Sequence, residues 1–245
     1  MQNKQTQFKA PSKKHQPKGL TILYEDQDII VVDKIHGLLT IGTDRERYST
    51  AYYLLTEYVK KGNERSRNRV FIVHRLDRDT SGVLVFAKNE EAKLTMQEQW
   101  QDFQKKYYAV VYGLPEPNEG VISSYLMENK AFQVYSVKDA GKGKFSKTGY
   151  KVTRSNGRYS LLEIELFTGR KNQIRVHLSE QGHPVVGDKV YGRTEKGIKR
   201  LALHSASIKI IHPYTQKEMF FETEVPTYFK LLVKSREVKE NKAEE

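Results

Sequence analysis

The chain has 245 residues, with 42 Lys and Arg against 30 Asp and Glu, and its formal net charge is +12. A hydrophobic content of 38% with 15 tyrosines excludes a wholly disordered chain, and the length allows one large domain or two small ones. The absence of cysteine excludes disulfides and thiolate metal sites. We find no secretory signal and no apolar run of about 18 residues, so we expect a cytoplasmic protein that binds no membrane. The basic balance favours a polyanionic partner, most simply nucleic acid.

The N-terminal part of the chain predicts a basic arm, a hairpin and a helix. Residues 1–19 contain five lysines and no acid, which is typical of a disordered arm. Apolar runs on both sides of residues 25–28 predict a β-hairpin over residues 20–34. Ser49 or Thr50 can cap a helix over residues 51–61.

A charged loop between two apolar segments stands at the centre of the chain. Residues 70–73 and 83–86 predict buried strands, because they are rich in β-branched residues. The intervening sequence is HRLDRDTSG, residues 74–82. Rigid strands that display a short charged loop commonly position catalytic groups. A surface hairpin with solvated charges is the alternative reading of this loop alone.

A second helix and a long strand follow the central loop. Asn89 can cap a helix whose apolar residues Ala92, Met96, Trp100 and Phe103 share one face. This spacing predicts that the single Trp lies in the core and does not stack on a nucleic-acid base. Residues 105–113 alternate as a strand.

The second half of the chain consists mainly of predicted strands. The pattern predicts strands at 121–126, 131–137, 150–154, 158–167, 201–211 and 219–223, a flexible basic loop at 138–147, a helix at 172–180 and a last helix from 226 to about 238. Most strands follow one another directly, so we expect an α+β fold with a mainly antiparallel mixed sheet and flanking helices. Residues 20–238 are then one catalytic domain and residues 239–245 a polar tail.

Residue chemistry alone leaves more than one type of site open. Asp77 and a basic helix that joins Lys171 to Arg175 by i,i+4 spacing allow an Asp–Arg site. The histidines show no metal-ligand spacing beside acids, so we expect no metal. Residues 77–81, DRDTS, also resemble the DxDx[TS] loop of Mg²⁺-dependent aspartyl-phosphate phosphatases, with Asp77 and Asp79 as the acids. Against that reading, no second acid follows Asp188 nearby.

Residues 74–82 also resemble the signature of the RluA family of RNA pseudouridine synthases, and further segments follow in that family's order. These segments are ILYEDQDIIVVDK at 22–34, KKYYAVVYG at 105–113, TGRKNQIRVHL at 168–178 and LALHSA at 201–206. The resemblance covers residues 20–228. It implies the pseudouridine synthase fold with a central catalytic cleft.

The resemblance also implies an activity. The enzyme would flip a uridine of large-subunit ribosomal RNA or of transfer RNA out of its stack and isomerise it without a cofactor or a metal. By the same resemblance Asp77 is the essential carboxylate, Arg175 pairs with it, and Tyr107 stacks on the base. The expected substrate contacts are Arg75, His74, Arg170 and Gln173.

Two departures from the family pattern lead to further expectations. Lys171 and Asn172 stand where the family often has Thr-His, so we expect altered RNA contacts. Residues 1–19 are too short for the S4 RNA-binding domain that many relatives carry. We also expect the protein to be a monomer. A catalytically idle RNA-binding relative is a third possibility, and the presence of Asp77, Tyr107 and Arg175 argues against it.

Overall fold

The computed structural model describes residues 10–234. Their elements are strands β1 (Leu20–Glu25), β2 (Ile29–Lys34), β3 (Phe71–Ile72), β4 (Ser81–Ala87), β5 (Gln104–Tyr112), β6 (Glu119–Glu128), β7 (Val134–Val137), β8 (Lys144–Ser155), β9 (Tyr159–Leu166), β10 (Leu203–Ile211) and β11 (Glu218–Glu222), and helices α1 (Ala51–Lys60), α2 (Glu90–Glu98), α3 (Gln173–Glu180) and α4 (Thr227–Leu232).

All eleven strands belong to one sheet. Its order is β1-β2-β4-β10-β5-β9-β8-β6-β7, with β11 paired to β10 and β3 paired to β4. Every pairing among these strands is antiparallel except that of β4 with β10, where His204 lies opposite Ser81. Because β4 and β10 begin at the same edge, the loop that precedes β4 lies beside the start of β10. The predicted α+β class with a mixed, mainly antiparallel sheet is confirmed.

Strand β4 joins two hydrophobic clusters. All seven of its residues are buried. Leu84 and Phe86 pack in the larger cluster with Leu55 of α1, whereas Val83 and Val85 pack in the second cluster with Met96 of α2. A strand with helices on both faces is apolar throughout, which is why the sequence pattern of residues 83–87 does not alternate. The loop at its N-terminal end is therefore attached to a fully buried strand.

N-terminal caps explain where α1 and α2 begin. Thr50 Oγ1 accepts a hydrogen bond from the Tyr53 amide at 3.2 Å, and Asn89 Oδ1 accepts one from the Ala92 amide at 2.8 Å. Helix α2 ends at Glu98, so Trp100 lies beyond the helix on whose face the sequence pattern placed it. The prediction of a purely core position for Trp100 was wrong, because its ring lines a cleft.

Several predicted boundaries differ from the structure. The basic loop expected at 138–147 ends earlier, because Lys144 pairs with Leu126 and begins β8. Strand β7 is shorter than predicted, since residues 131–133 form a turn in which Asn129 Oδ1 accepts the amides of Ala131 and Gln133. Strand β3 comprises only Phe71–Ile72, and both residues are half-buried.

The part of the predicted basic arm that the structure describes is ordered. Residues Lys13–His15 form a 3₁₀ turn, and the Gln16 side chain accepts a hydrogen bond from the Ile22 amide at 2.7 Å. The expected disorder therefore does not extend to this part of residues 1–19. The predicted last helix is shorter than expected, because α4 ends at Leu232 and not near residue 238. Residues 1–9 and 235–245, which include the polar tail, lie outside the described residues. Within residues 10–234 no helix has the length and apolar character needed to span a membrane.

Candidate active site

A cleft of about 290 Å³ lies where the loop before β4, strand β5 and the start of α3 meet. This volume is at the lower end for ligand pockets, roughly 300–1,000 Å³. Leu166, Ile174 and Leu203 give it apolar walls. All seven site residues predicted from the sequence line it: His74, Arg75, Asp77, Tyr107, Arg170, Gln173 and Arg175.

The loop that carries Asp77 is fixed by hydrogen bonds on both sides of this residue. Thr40 Oγ1 donates to the Leu76 carbonyl at 2.7 Å and accepts from the Leu76 amide at 3.1 Å. Lys34 Nζ donates to the Arg78 carbonyl at 3.1 Å. Burial lowers the pKa of Lys34 to about 7, although Asp77 raises it. These contacts place the Asp77 backbone before any substrate binds.

A second network holds the end of the loop against β10. Arg200 Nη2 donates to Ser81 Oγ at 2.7 Å, and Ser81 Oγ lies 2.9 Å from His204 Nδ1. Burial lowers the pKa of His204 to about 4, so the neutral ring can accept from Ser81 and donate from Nε2 to Thr223. Gly82 has φ +110°, and a Cβ there would lie 2.1 Å from the Ser205 carbonyl oxygen, so only glycine fits.

Arg175 connects a carboxylate that lines the cleft, Asp77, with a fully buried carboxylate, Asp188. Its Nε and Nη2 donate to Asp188 Oδ2 and Oδ1 at 2.7 and 2.8 Å, which is a bidentate pair. Its Nη1 lies 3.3 Å from Asp77 Oδ2 and 3.0 Å from Asn172 Oδ1. The Arg175 side chain is 12% exposed, that of Asp77 is 22% exposed, and that of Asp188 is 0% exposed. Arg175 thus presents an N–H of Nη1 to Asp77 in a fixed direction.

The electrostatics of the Arg175–Asp188 pair are those of a buried ion pair. Burial lowers the pKa of Arg175, but the bonds and charge of Asp188, with a smaller effect of Asp77, raise it overall. Burial raises the pKa of Asp188, but Arg175 and the amides of Tyr191 and Val190 lower it overall. Both groups are therefore charged at neutral pH.

Asp188 is the site residue that the sequence analysis missed. That analysis considered Asp188 as an acid of the phosphatase alternative and within a segment in family order, Gly187-Asp188, but assigned it no role in the site. A buried Arg on α3 requires a carboxylate, but the sequence gives no sign that the partner lies 13 residues away in a Gly-containing loop.

Tyr107 lies on β5 with its side chain buried in the cleft wall. Burial, opposed by a hydrogen bond with Ser205 and aided by the charge of Asp77, raises the pKa of Tyr107 to about 12. The phenol is therefore neutral at physiological pH and presents an aromatic face and a hydroxyl group. Those properties suit contact with a planar base.

His74 contacts the protein itself. Its Nε2 accepts a hydrogen bond from the Val85 amide at 3.0 Å, and its ring stacks on Trp100 with centroids 4.2 Å apart. Burial lowers the pKa of His74 to about 3, so the ring is neutral. His74 lines the cleft as a structural residue, and its neighbour Arg75 is an exposed cation that also lines the cleft.

The expected substrate contact of Gln173 does not agree with its surroundings. The residue is 2% exposed. Its amide oxygen accepts from Thr168 Oγ1 and the Arg170 amide, and its amide nitrogen donates to the Lys147 carbonyl and Thr148 Oγ1. With all four bonds made, the side chain has no free polar group for a substrate. Gln173 instead holds the loop that carries Arg170.

Comparison with known proteins identifies the family. The sequence profile described as RNA pseudouridylate synthase matches residues 28–180, which is more than half of the chain. The chain belongs to the RNA pseudouridylate synthase family.

Individual relatives agree with this assignment. The dual-specificity RNA pseudouridine synthase RluA of Vibrio cholerae is 35% identical over 202 residues, 79% of this chain and 78% of the relative. The ribosomal large subunit pseudouridine synthase D of Zymomonas mobilis is 33% identical over 228 residues, 88% of this chain and 72% of the relative. The solved structure of human RNA pseudouridylate synthase domain containing 1 has a TM-score of 0.68 and 27% identity, and the match covers 84% of this chain and 83% of that one.

The protein is thus an RNA pseudouridine synthase of the RluA family, an isomerase that acts on RNA, and the phosphatase class does not apply. The location of the metal-ligand side chains also argues against a Mg²⁺-dependent phosphatase. Within residues 10–234 one group of side chains has metal-binding geometry, Asp26, Asp28 and His212, and it does not line the cleft. Both carboxylate oxygens of Asp26 already accept two hydrogen bonds each.

The departure from the family pattern at Lys171 and Asn172 has a structural consequence. Asn172 adopts a left-handed conformation with φ 54°, so α3 begins after it. Lys171 therefore does not share a helical face with Arg175, and the expected i,i+4 relation was wrong. Lys171 Nζ instead bonds Glu128 and the Phe132 carbonyl, while Asn172 supports Arg175.

Proposed function

We propose that the protein converts a uridine of large-subunit ribosomal RNA to pseudouridine, with Asp77 as the carboxylate that acts on the sugar. The observation that carries the proposal is the fixed contact of Asp77 with Arg175. Because Asp188 holds one edge of the guanidinium through Nε and Nη2, Nη1 points at Asp77 Oδ2, and these two atoms are 3.3 Å apart. A carboxylate oriented by such a pair reaches the reacting atoms without reorganisation.

The reaction breaks the bond between N1 and C1′ and forms a bond between C5 and C1′, and the proton lost from C5 is replaced by one gained at N1. The uridine must first leave its stack. The apolar walls formed by Leu166, Ile174 and Leu203, with the ring of Tyr107, offer a dry place for the flipped base. Asp77 then either attacks C1′ or removes a proton from C2′, and both steps need a carboxylate directed at the sugar.

Charge supports an RNA substrate in general, and the name of one relative supports the choice of large-subunit RNA. The net charge of +12 suits a polyanion, and Arg75 is an exposed cation at the cleft. The Zymomonas mobilis relative is named for the large ribosomal subunit. Transfer RNA is the competing substrate.

The test is a map of pseudouridines in total cellular RNA with and without this protein. We expect the loss of one or more pseudouridines from large-subunit RNA, restored by the parent gene and not by Asp77→Asn. Losses confined to transfer RNA would replace the proposed substrate. Unchanged maps in every RNA class would overturn the proposed function.

A further inference from the structure

Lys105 is a second buried cation of the cleft, and no acid compensates it. The residue is 4% exposed and lines the cleft. Burial, weakly opposed by Asp102, lowers the pKa of Lys105 to about 8. Its Nζ donates to the Trp100 carbonyl at 2.8 Å. An ammonium has three donors, so in the part of the chain that the structure describes two of them lack an acceptor, and no carboxylate forms a salt bridge with Nζ.

Trp100 places a second unused donor beside Lys105. Lys105 Nζ lies 5.3 Å from the centroid of the indole ring, and His74 stacks on that ring. Among residues 10–234 the indole Nε1 has no hydrogen-bond partner. A Cβ at Gly169 would lie 3.5 Å from Nε1, so the glycine leaves this edge of the ring uncovered. An indole N–H is a donor only.

Arg170 extends this group of donors. It follows Gly169 directly and lines the same cleft. Its Nε donates to the Phe145 carbonyl at 3.2 Å, and its two terminal nitrogens make no hydrogen bond within the described residues. The set formed by Lys105, Trp100 and Arg170 therefore offers N–H donors and two positive charges, with no acceptor and no carboxylate.

We propose that Lys105, Trp100 and Arg170 form a subsite that binds one backbone phosphate of the RNA beside the flipped uridine. The proposal rests on the proposed function. Donor-only groups fit the acceptor-only oxygens of a phosphodiester, and a base edge would generally present donors as well. The phosphate supplies the negative charge that the buried ammonium lacks. A phosphate held by these three residues fixes which part of the nucleotide faces Asp77.

The first experiment measures affinity for a short RNA that contains the mapped uridine, in the Asp77→Asn background and at several salt concentrations. Lys105→Met should weaken binding about tenfold and reduce the salt slope by about one. Trp100→Phe keeps the stack on His74 and removes the N–H, so it should weaken binding about threefold without changing the slope. Lys106→Met is the matched control, because Lys106 is exposed and pairs with Glu163 at 3.0 Å. It should leave the affinity within about twofold.

A second experiment changes the RNA and leaves the protein intact, so a folding defect of a variant cannot explain its result. Single neutral methylphosphonate linkages, each with a 2′-O-methyl group on its 5′ nucleotide, are placed in turn near the target uridine. The control RNA carries the same 2′-O-methyl group and a normal phosphate. One linkage should weaken binding about tenfold when Lys105 is present and have a clearly smaller effect on Lys105→Met, which keeps Trp100 and Arg170.

The outcomes separate the subsite from the proposed function. If the parent enzyme converts the uridine and no linkage shows coupling to Lys105, the subsite is overturned and the function stands. Unchanged affinity and salt slope in Lys105→Met also overturn the subsite. If the parent enzyme converts no uridine in any RNA, the proposed function fails.

Discussion

The two buried cations of the cleft, Arg175 and Lys105, differ in what surrounds them. Arg175 contacts two carboxylates and is bidentate to one of them. Lys105 contacts one backbone carbonyl. The first arrangement is complete without a substrate, so it can fix the direction of Asp77 in advance. The second leaves a desolvated charge uncompensated, which is unfavourable in the free protein and becomes favourable when an anion binds. Arg175 therefore orients Asp77, whereas we propose that Lys105 binds a phosphate of the RNA.

We expect the largest effect from removing the charge of Asp77, the carboxylate that Arg175 orients. Asp77→Asn keeps the shape of the side chain and removes its charge. We expect isomerisation to fall by at least about a thousandfold, as happens when a central catalytic group is lost, while RNA affinity stays within about 1 kcal/mol. Mass spectrometry of single-turnover products measures the rate. Near-parental activity would remove Asp77 from the catalytic role.

The next effect concerns the support behind Arg175. Asp188→Asn cannot hold the guanidinium by two charged bonds and leaves a buried cation unpaired. We expect a rate about a hundredfold lower and a free energy of unfolding about 3 kcal/mol lower at pH 7. Because the folded state lowers the pKa of Asp188 below 3.8, its contribution is present above that value and is lost as the pH falls further. The difference in the free energy of unfolding between the parent and Asp188→Asn should therefore become smaller at acidic pH.

An exposed ion pair of the same chemistry is the control for Asp188. Arg78 Nη2 lies 2.5 Å from Glu46 Oε2, with half of the Arg78 side chain exposed. Glu46→Gln should change the free energy of unfolding by less than about 1 kcal/mol. Urea unfolding of both variants gives the comparison, and equal effects would contradict the distinction between buried and exposed pairs.

Much of this architecture is readable from the sequence, because local patterns determine it. The β-branched segments around residues 74–82 predict two strands with a charged loop, and Thr50 and Asn89 mark helix starts that the structure contains. The motifs around Asp77, Tyr107 and Arg175 identify residues that the fold brings into one cleft. These signals depend on neighbours in sequence or on a resemblance, and neither requires knowledge of distances.

The remaining features depend on contacts between distant segments. The parallel pairing of β4 with β10 joins residues 81 and 204, and the partner of Arg175 comes from a separate loop. Trp100 was misplaced because helical spacing continues beyond Glu98, where the helix itself ends. Gln173 was predicted to bind the substrate because its position matches a motif. Its four hydrogen bonds to the protein become visible only in three dimensions.

Tyr107 provides a test of intermediate size, because it shares strand β5 with Lys105 and senses the charge of Asp77. Its pKa of about 12 keeps the phenol protonated below pH 10. Tyr107→Phe should therefore lower the rate about tenfold, through loss of the hydroxyl group, and leave the shape of the pH–rate profile unchanged between about pH 6 and 10. A pH dependence that disappears in the variant would show that the phenol ionises during the reaction.

The smallest expected effect is a change in the free energy of unfolding when Lys105 is replaced. The direction of this change distinguishes Lys105 from Arg175. Lys105 has a pKa of about 8 in the folded protein and an ordinary value of 10.5, so the unfolded chain binds more protons between these values. The contribution of Lys105 to the free energy of unfolding is therefore least favourable below pH 8 and improves as the pH rises towards 10.5. Lys34, with a pKa of about 7, acts in the same direction.

Replacing Lys105 with Met removes this unfavourable charge. We expect Lys105→Met to be more stable than the parent by about 1 kcal/mol at pH 7, with the difference shrinking towards pH 10, because the lost bond to the Trp100 carbonyl offsets part of the gain. Lys34→Met is the comparison: Lys34 Nζ donates to three carbonyls, so its removal leaves more acceptors unpaired and should destabilise the protein. Chemical denaturation at pH 7 and pH 9.5 measures both. A Lys105→Met variant less stable than the parent at pH 7 would mean that this ammonium is already compensated in the free enzyme, as Arg175 is.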